Sequence, residues 1–571
     1  HLLILATAAV CATTAWAANS TDEIFTVVRA TPMDEEQLKL LNLLFKDAHK
    51  HNLDFWKSPT GVGYTVDIMS RREKADQLQA MFKSINMPNN RTIGDVQQLI
   101  LDREVRVKHE KEGLGSFAKR LRDEGVSNRA KYEFGDYHGY GEIVRWLNEI
   151  AQEYPAYTRV LSIGTTYEGR NIIAIKIGAN ASRSDKRVVW IDGGIHAREW
   201  GAVHTALYFI EQLIVGYENN DPQIRSYVDN LNFYIIPVLN PDGFEYTRSD
   251  VTPMKRLWRK NRAGITCSKD QWFRDRCCGG VDLNRNFDFH WGGSGSSDDP
   301  CSEIFQGASA FSEMESQAVK NMMLGPELHG KVDAFITLHT YSQMWIHPFS
   351  HAKKSVPADI AELKSVGERA VAALESMYGT KYRFGTGADI LYPSSGGSDD
   401  WAKAKGGAKY VYLLELRPGE DVWDGFVLDA RQLVPMGKET WEGIKVVVDA
   451  VNTRKQETLQ PSQITRAQIE ARRPEPVVTP PTARVFTQPS LEQRQRQQTQ
   501  LLLQQQAERE RQQRLQQQQR QQQQLQQQQS GIGQCRDLSP WCRAWLQQNA
   551  DVCRVSSIYM SRDCRLTCRF C

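Results

Sequence analysis

Residues 188–204 read VVWIDGGIHAREWGAVH. The β-branched and apolar run from Val188 to Ile191 breaks at Gly193-Gly194 and is followed at once by His196, Glu199 and His204. A continuous rather than alternating apolar run marks a strand buried on both faces. Three later runs have the same character: NFYIIPVLN (232–240), DAFITLHT (333–340) and KYVYLLELR (409–417). Amphipathic stretches at 200–216, 358–377 and 429–451 alternate with them. Together they predict an α/β domain over residues 132–455, with a mixed, largely parallel twisted sheet and helices on both faces. Such sheets hold ligands at the carboxyl ends of their strands. His196 and Glu199 stand at such an end.

Outward from this centre the chain divides by composition. Its 571 residues exceed one ordinary core, and a net charge of +3 gives no global argument for nucleic acid. Residues 1–17, HLLILATAAVCATTAWA, are apolar and end in a small-x-small pattern, the mark of a signal peptide, here N-terminally incomplete because it begins at His1. No other run reaches the ~20 apolar residues of a membrane span, so a secreted, extracellular protein without a transmembrane anchor is expected. Residues 18–102 mix strand-like and helix-like runs, a small α+β unit. Residues 103–131 form a charged connector with exposed basic sites at Arg120, Arg122 and Arg129. Residues 456–534 are first Pro-rich, then Gln/Arg-rich; lacking aromatics to stack bases, they read as a solvated spacer. The last segment, 535–571, has six cysteines and too few apolar residues for a core, so three disulfides must hold it.

Imidazole and carboxylate are both good zinc ligands. A His-x-x-Glu pair leaving a strand needs one distant third ligand to make an open, catalytic site. His339 is the third candidate, since it too ends an apolar strand. His204 lies inside the helix that follows and has no comparable setting.

The motifs GGIHAREW, RLWRKNR, VDLNRNFD, ITLHTYSQ, LYPSSGGSDDW and LLELRPG occur in order between residues 193 and 419. In sequence and spacing they resemble the zinc metallocarboxypeptidases of the pancreatic A/B type (peptidase family M14), over roughly 132–450. The upstream α+β unit resembles that family's inhibitory activation pro-segment. The resemblance implies the zinc carboxypeptidase fold, one zinc ion per catalytic domain, and peptide or protein C-termini as substrates. It implies His196, Glu199 and His339 as ligands, Asp282 as the carboxylate orienting the first histidine, Glu415 as general base and Arg259 as the cation facing the tetrahedral oxyanion. Asn284, Arg285 and Tyr392 would clamp the substrate's terminal carboxylate, with Arg198, Tyr341 and Phe426 along the substrate chain. For Glu415 the competing reading is a salt bridge to Arg417.

In this family the residue two before the Trp of GGSDDW lies at the base of the side-chain pocket. Here it is Asp399, which with Gly387 matches the B branch and implies a preference for C-terminal Lys or Arg. A loop carboxylate facing solvent, and with it A-type specificity for apolar or aromatic residues, is the alternative. Trypsin-like cleavage in 119–131 is the expected activation step.

The segment between Arg259 and Asn284 is longer than in the digestive enzymes. Beside the pair Cys278–Cys301 that the resemblance implies, it carries Cys267 and Cys277. A second bridge, Cys267–Cys277, follows, with swapped pairing of the adjacent cysteines left open. The tail CRDLSPWC…CRLTCRFC resembles the ShKT module, whose usual pairing gives Cys535–Cys571, Cys542–Cys564 and Cys553–Cys568. Ile558-Tyr559 stands where channel-blocking members carry Lys-Tyr, so an adhesion or targeting module with an extracellular partner is expected. The rival from another class is a non-catalytic extracellular binding protein on the same scaffold. Retention of Glu415, Arg259, Arg285 and the three ligands argues against it.

Overall fold

The computed structural model describes residues 24–104, 130, 132–269, 275–454 and 542. The expected signal peptide, the activation sites at Arg120, Arg122 and Arg129, the Gln/Arg-rich spacer and, apart from Cys542, the ShKT module with its three bridges lie outside the described residues.

The first 80 or so described residues form an antiparallel sheet of β1 (Phe25–Ala30), β2 (Asp54–Lys57), β3 (Val66–Arg71) and β4 (Asn89–Ile93), in the order β2-β3-β1-β4. Period-two alternation sorts its side chains. Val28 and Ala30 of β1 pack with Leu41, Leu78 and Phe82 of the helices Glu35–Lys46 and Arg72–Ser84. Phe25 and Val27 turn the other way and join Leu257, Tyr341, Phe426 and Val427 of the larger domain in one apolar cluster. The two domains therefore share buried surface. The helix Val96–Glu104 runs past residue 102, so Arg103 is helical.

In the larger domain β5 (Thr158–Thr165), β6 (Asn171–Ile177), β7 (Arg187–Gly193) and β8 (Leu231–Ile236) precede a hairpin of β9 (Thr266–Lys269) and β10 (Asp275–Cys278). After it come β11 (Val332–Ser342), β12 (Met344–His347), β13 (Arg383–Thr386) and β14 (Tyr410–Gly419). Eight of these strands form one sheet in the order β13-β12-β14-β11-β7-β8-β6-β5. The centre, β14-β11-β7-β8, is parallel, and the turns to antiparallel come at β12 and β6, toward the edges. This is the α/β sheet that the apolar runs predict. All eleven residues of β11 are buried, as burial on both faces demands.

One face packs under the helices Tyr140–Glu153, Trp200–Glu218, Ile360–Tyr378 and Leu433–Thr453, with Val189, Ile191, Ile336, Leu338, Tyr412 and Leu414 supplied by the strands. The opposite face offers Val188, Trp190, Phe335 and Val411 to a second cluster around Leu283, Phe287 and Trp401. The residues that continue this second face toward the strand ends are polar: Asp192, Thr337, His339 and Glu415. The hairpin is closed by Cys267–Cys277 and tied down by Cys278–Cys301, which leads the chain into Asp282.

Candidate active site

The turn after β7 needs its glycines. Gly194 has φ +64°, and a Cβ there would stand 2.8 Å from Val203 Cγ2. The chain thus reverses tightly into the helix Trp200–Glu218 and delivers His196 and Glu199 above the end of β11. His339 lies opposite Glu415 in the parallel register of β11 and β14. These four side chains come from adjacent elements at the carboxyl ends of the central strands.

His196 Nδ1 is 2.8 Å from Glu199 Oε1, and His339 Nδ1 is 3.1 Å from both Glu199 Oε2 and His196 Nδ1. Such spacings approach the edge of about 3.3 Å of a tetrahedron with metal–ligand bonds of 2.0–2.1 Å. His196 Nε2 lies 3.1 Å from Asp282 Oδ1, an acceptor that calls for N–H there and leaves Nδ1 as a lone pair. Buried lone pairs converging on a carboxylate call for a cation. Burial opposes a charge on His339, yet the Glu199 carboxylate outweighs it and holds the ring above its usual value. The donor set fits zinc. Among the described residues it is the group of three or more His, Cys, Asp and Glu side chains close enough to hold a metal ion. His204 is elsewhere, accepting from the His138 amide and facing the Trp200 carbonyl inside its helix.

Two cavities meet at this cluster. One, of about 80 Å³, is lined by Arg198, Glu199, Glu303, Tyr341 and Phe426. The other, of about 50 Å³, is lined by His196, Asn284, Arg285, His339, Gly387 and Asp399. Arg259, Tyr392 and Glu415 border both. Burial pushes Glu415 up to about 8, although His339 pulls the other way. Arg417, the competing partner, instead hydrogen-bonds Glu439 at 2.7 Å.

Arg259 donates to Asp282 at 2.9 and 3.1 Å, so one carboxylate orients both a histidine and a guanidinium. Arg285 is held by Gly295 O (2.7 Å), Asn284 O (2.8 Å) and the Tyr392 hydroxyl (3.2 Å). Asn284 Oδ1 accepts from the Ser398 amide at 2.9 Å, coupling this loop to the helix Ser398–Ala404 that carries Asp399. Asp399 is 1 % exposed, contrary to the solvent-facing alternative. Burial first, and the neighbouring Asp400 second, push its carboxyl up to about 7. Gly387 stands against Ser350: a Cβ there would come within 2.3 Å of Oγ.

The smaller domain roofs the first cavity. Asp54 accepts from Arg198 Nη1 at 2.9 and 3.1 Å, while Phe426 stacks under the same guanidinium, 4.1 Å from its ring centroid. Trp56 meets Phe426 and Phe45 meets Tyr392 edge to face. Lys57 pairs with Glu420 at 2.8 Å, and Arg103 with Asp424 and Asp429 at 2.9 and 2.5 Å.

Several residues of this neighbourhood escaped the sequence reading. Glu303 lines the first cavity. Asp400 accepts from the amides of Ser350 and His351, and Asp192 and Thr337 lie behind His339. A signal existed for Asp192, an acid ending an otherwise apolar strand. For the roof residues there was none, since contacts between domains leave no local periodicity.

Comparisons with known proteins follow the same division of the chain. Residues 143–443 match the family model described as zinc carboxypeptidase, residues 28–103 that of the carboxypeptidase activation peptide, and residues 534–571 that of ShK domain-like sequences. Carboxypeptidase B of Astacus astacus is 39 % identical over 319 residues, 56 % of this chain and 98 % of its own. Carboxypeptidase A2 of Mus musculus is 35 % identical over 425 residues, covering 74 % of this chain and 93 % of that protein. Among solved structures, thrombin activatable fibrinolysis inhibitor superposes with a TM-score of 0.61 at 29 % identity, over 75 % of this chain and 99 % of that one. Carboxypeptidase A of Helicoverpa armigera gives 0.62 at 27 % identity, over 76 % and 99 %.

Proposed function

The chain belongs to the zinc carboxypeptidase family, and from that premise we propose how its own residues remove single C-terminal residues and which residues they select. It is a metallocarboxypeptidase that uses one zinc ion, made with an activation pro-segment. The observation that carries the detailed reading is the pair of cavities meeting at Glu415, Arg259 and Tyr392. In this reading the scissile bond lies where they join, with the departing residue in the smaller cavity and the rest of the peptide in the larger.

His196, Glu199 and His339 hold the zinc. Bound there, the metal supplies Lewis acidity, which polarises the scissile carbonyl and acidifies water. Glu415 takes the proton of the attacking water and passes it to the leaving amine, a task suited to a carboxylate whose burial raises its proton affinity. Arg259, fixed by Asp282, faces the oxyanion that develops. Arg285, Asn284 and Tyr392 grip the terminal carboxylate, so a chain that continues past this point lacks the charge they need. Arg198, Tyr341 and Phe426 line the path of the upstream residues.

Asp399 supports a B-type preference for C-terminal Lys or Arg. A buried acid facing a hydrocarbon has no compensation, whereas a cation supplies it. The relatives' names span both A and B types, and the pocket floor is the observation that supports the B-type reading.

The first-domain roof supports a zymogen whose larger cavity is closed until cleavage in 119–131, after Arg122 or Arg129, by a trypsin-like protease. The two bridges of the catalytic domain and the apolar leader support a secreted, extracellular protein, and among the described residues no helix is long and apolar enough to cross a membrane. The ShKT module would supply an extracellular contact. The test is hydrolysis of a peptide panel differing only in the last residue, before and after tryptic treatment, with and without a zinc chelator. Full activity of the uncut chain would overturn the zymogen reading, and chelator-resistant hydrolysis the metal reading.

A further inference from the structure

His196 and His339 present the same atom, Nδ1, to Glu199 and to each other, but their far nitrogens are served differently. Nε2 of His196 meets a carboxylate, Asp282. Nε2 of His339 meets the hydroxyl of Thr337 at 3.4 Å. A hydroxyl can donate or accept, so by itself it would not decide which ring nitrogen of His339 carries the proton.

The neighbouring strand removes the ambiguity. Thr337 and Asp192 are direct partners in the parallel register of β11 and β7. Thr337 Oγ1 lies 2.7 Å from Asp192 Oδ1, and the Trp190 indole donates to Asp192 Oδ2 at 2.7 Å. The one hydroxyl proton is thus committed to Asp192, and Oγ1 turns lone pairs toward His339. Asp192, Thr337 and His339 are at most 1 % exposed, so solvent offers no substitute acceptor. Among the described residues, the Thr337 hydroxyl is the hydrogen-bond partner of Nε2.

We propose that Asp192 and Thr337 are positioning residues for the metal site: a carboxylate acting through a hydroxyl fixes the proton of His339 on Nε2 and leaves Nδ1 free to ligate. The proposal rests on the reading of His339 as a zinc ligand. Its shared logic with Asp282 is an anionic acceptor behind each imidazole; its difference is that one acts directly and the other through an intermediate hydroxyl. This predicts an unusual sensitivity to Asp192→Asn. Because the Trp190 N–H requires an acceptor, the new amide would turn its oxygen to Trp190 and its NH₂ to Thr337. The hydroxyl proton would then point at His339 Nε2 and favour the tautomer protonated on Nδ1, the one unable to ligate.

The experiment is zinc affinity of the full chain at pH 7.5, by competition with a chromophoric chelator, with thermal melts of the metal-free proteins run alongside. Removal of groups behind a ligand typically weakens metal affinity by about 10–100-fold. That loss is expected for Thr337→Val and for Asp192→Asn, while Thr337→Ser, which keeps the hydroxyl, stays within about threefold of the parent. Asp192→Asn combined with Thr337→Val should be no worse than Thr337→Val alone. Should Thr337→Val fail to fold, Asp192→Asn against Thr337→Ser decides, since both are close to isosteric. Parent-like affinity in folded Asp192→Asn overturns the relay. His339→Ala separates the two readings: lost affinity there with none lost in the relay variants sinks the relay alone, whereas retained affinity there removes His339 as a ligand and the relay with it.

Discussion

Of the buried carboxylates at the site, four sort into two pairs that the protein treats in opposite ways. On the metal side, burial would raise Glu199 and Asp282, but the groups each one faces outweigh it and hold both below the usual carboxylate range: the His196 and His339 rings for the first, the Arg259 and Arg285 guanidinium groups for the second. On the far side, burial is not offset, and Glu415 and Asp399 are pushed up to about 8 and about 7. Desolvation is common to all four; what differs is whether groups already in the site outweigh it. A saturated carboxylate holds something in place. In the proposed function an unsaturated one awaits a charge from outside, a water proton at Glu415 and a side-chain cation at Asp399.

The sharpest way to break this contrast is on the saturated side. His339→Ala removes one of the three ligands of the cluster His196, Glu199 and His339, so stoichiometric zinc and hydrolysis should both disappear, as read by metal analysis of the purified variant and by peptide turnover. Stoichiometric zinc in a folded variant would mean that the cluster is not where the metal sits. On the unsaturated side the effect is smaller and of another kind. Glu415→Gln should retain zinc and substrate binding, and lower kcat by at least the ~10²–10⁴-fold typical of acid–base catalysis. Turnover near that of the parent would assign the proton to another group.

The sheet was readable because its central strands are buried on both faces: VVWIDGG and DAFITLHT are short continuous apolar runs, rich in β-branched residues, the first of them closed by glycines. His196 and Glu199 were readable because two glycines break that signal beside them. Much else was not. Glu415 is a single acid within an apolar run and Asp399 the first of the pair Asp399-Asp400; their burial is a tertiary fact, and the family resemblance, rather than periodicity, singled them out. Asp54, Lys57 and Arg103 act across a domain boundary, where sequence separation hides the partner. Arg259 illustrates the same limit: RLWRKNR gives no hint that its guanidinium is shared with Asp282, 23 residues on.

Within the unsaturated side, Asp399 is the sharper test of specificity. Charge-assisted hydrogen bonds are worth about 1.5–3 kcal/mol, equivalent to roughly ten- to a hundredfold or more in kcat/KM for Arg and Lys over Leu or Phe. Asp399→Ile should reverse that order in a competition between peptides matched except at the last residue. A parent enzyme that prefers Phe or Leu would make the A-type alternative the better reading.

The subtlest consequence concerns pH. A substrate lysine, with its ordinary pKa near 10.4, stays charged throughout the neutral range, so the partner that changes is Asp399. Burial and the Asp400 charge raise its pKa to about 7. The sign follows: below that value the pocket floor is neutral and gives a cation no partner, and above it the floor is ionised. Between pH 6 and pH 8 the ionised fraction of such a group climbs from about 0.09 to about 0.91. Because kcat/KM reports the free enzyme, the ratio of kcat/KM for a C-terminal Lys peptide to that for its Leu counterpart should rise by up to about tenfold over this window. Taking the ratio cancels Glu415, which both substrates require in the same state. Asp400→Asn removes one cause of the raised pKa, so the rise should move to lower pH in that variant. A ratio that stays flat from pH 6 to pH 8 in the parent would show that the Asp399 charge is not what the substrate meets, and a ratio that falls would assign recognition to the protonated carboxyl.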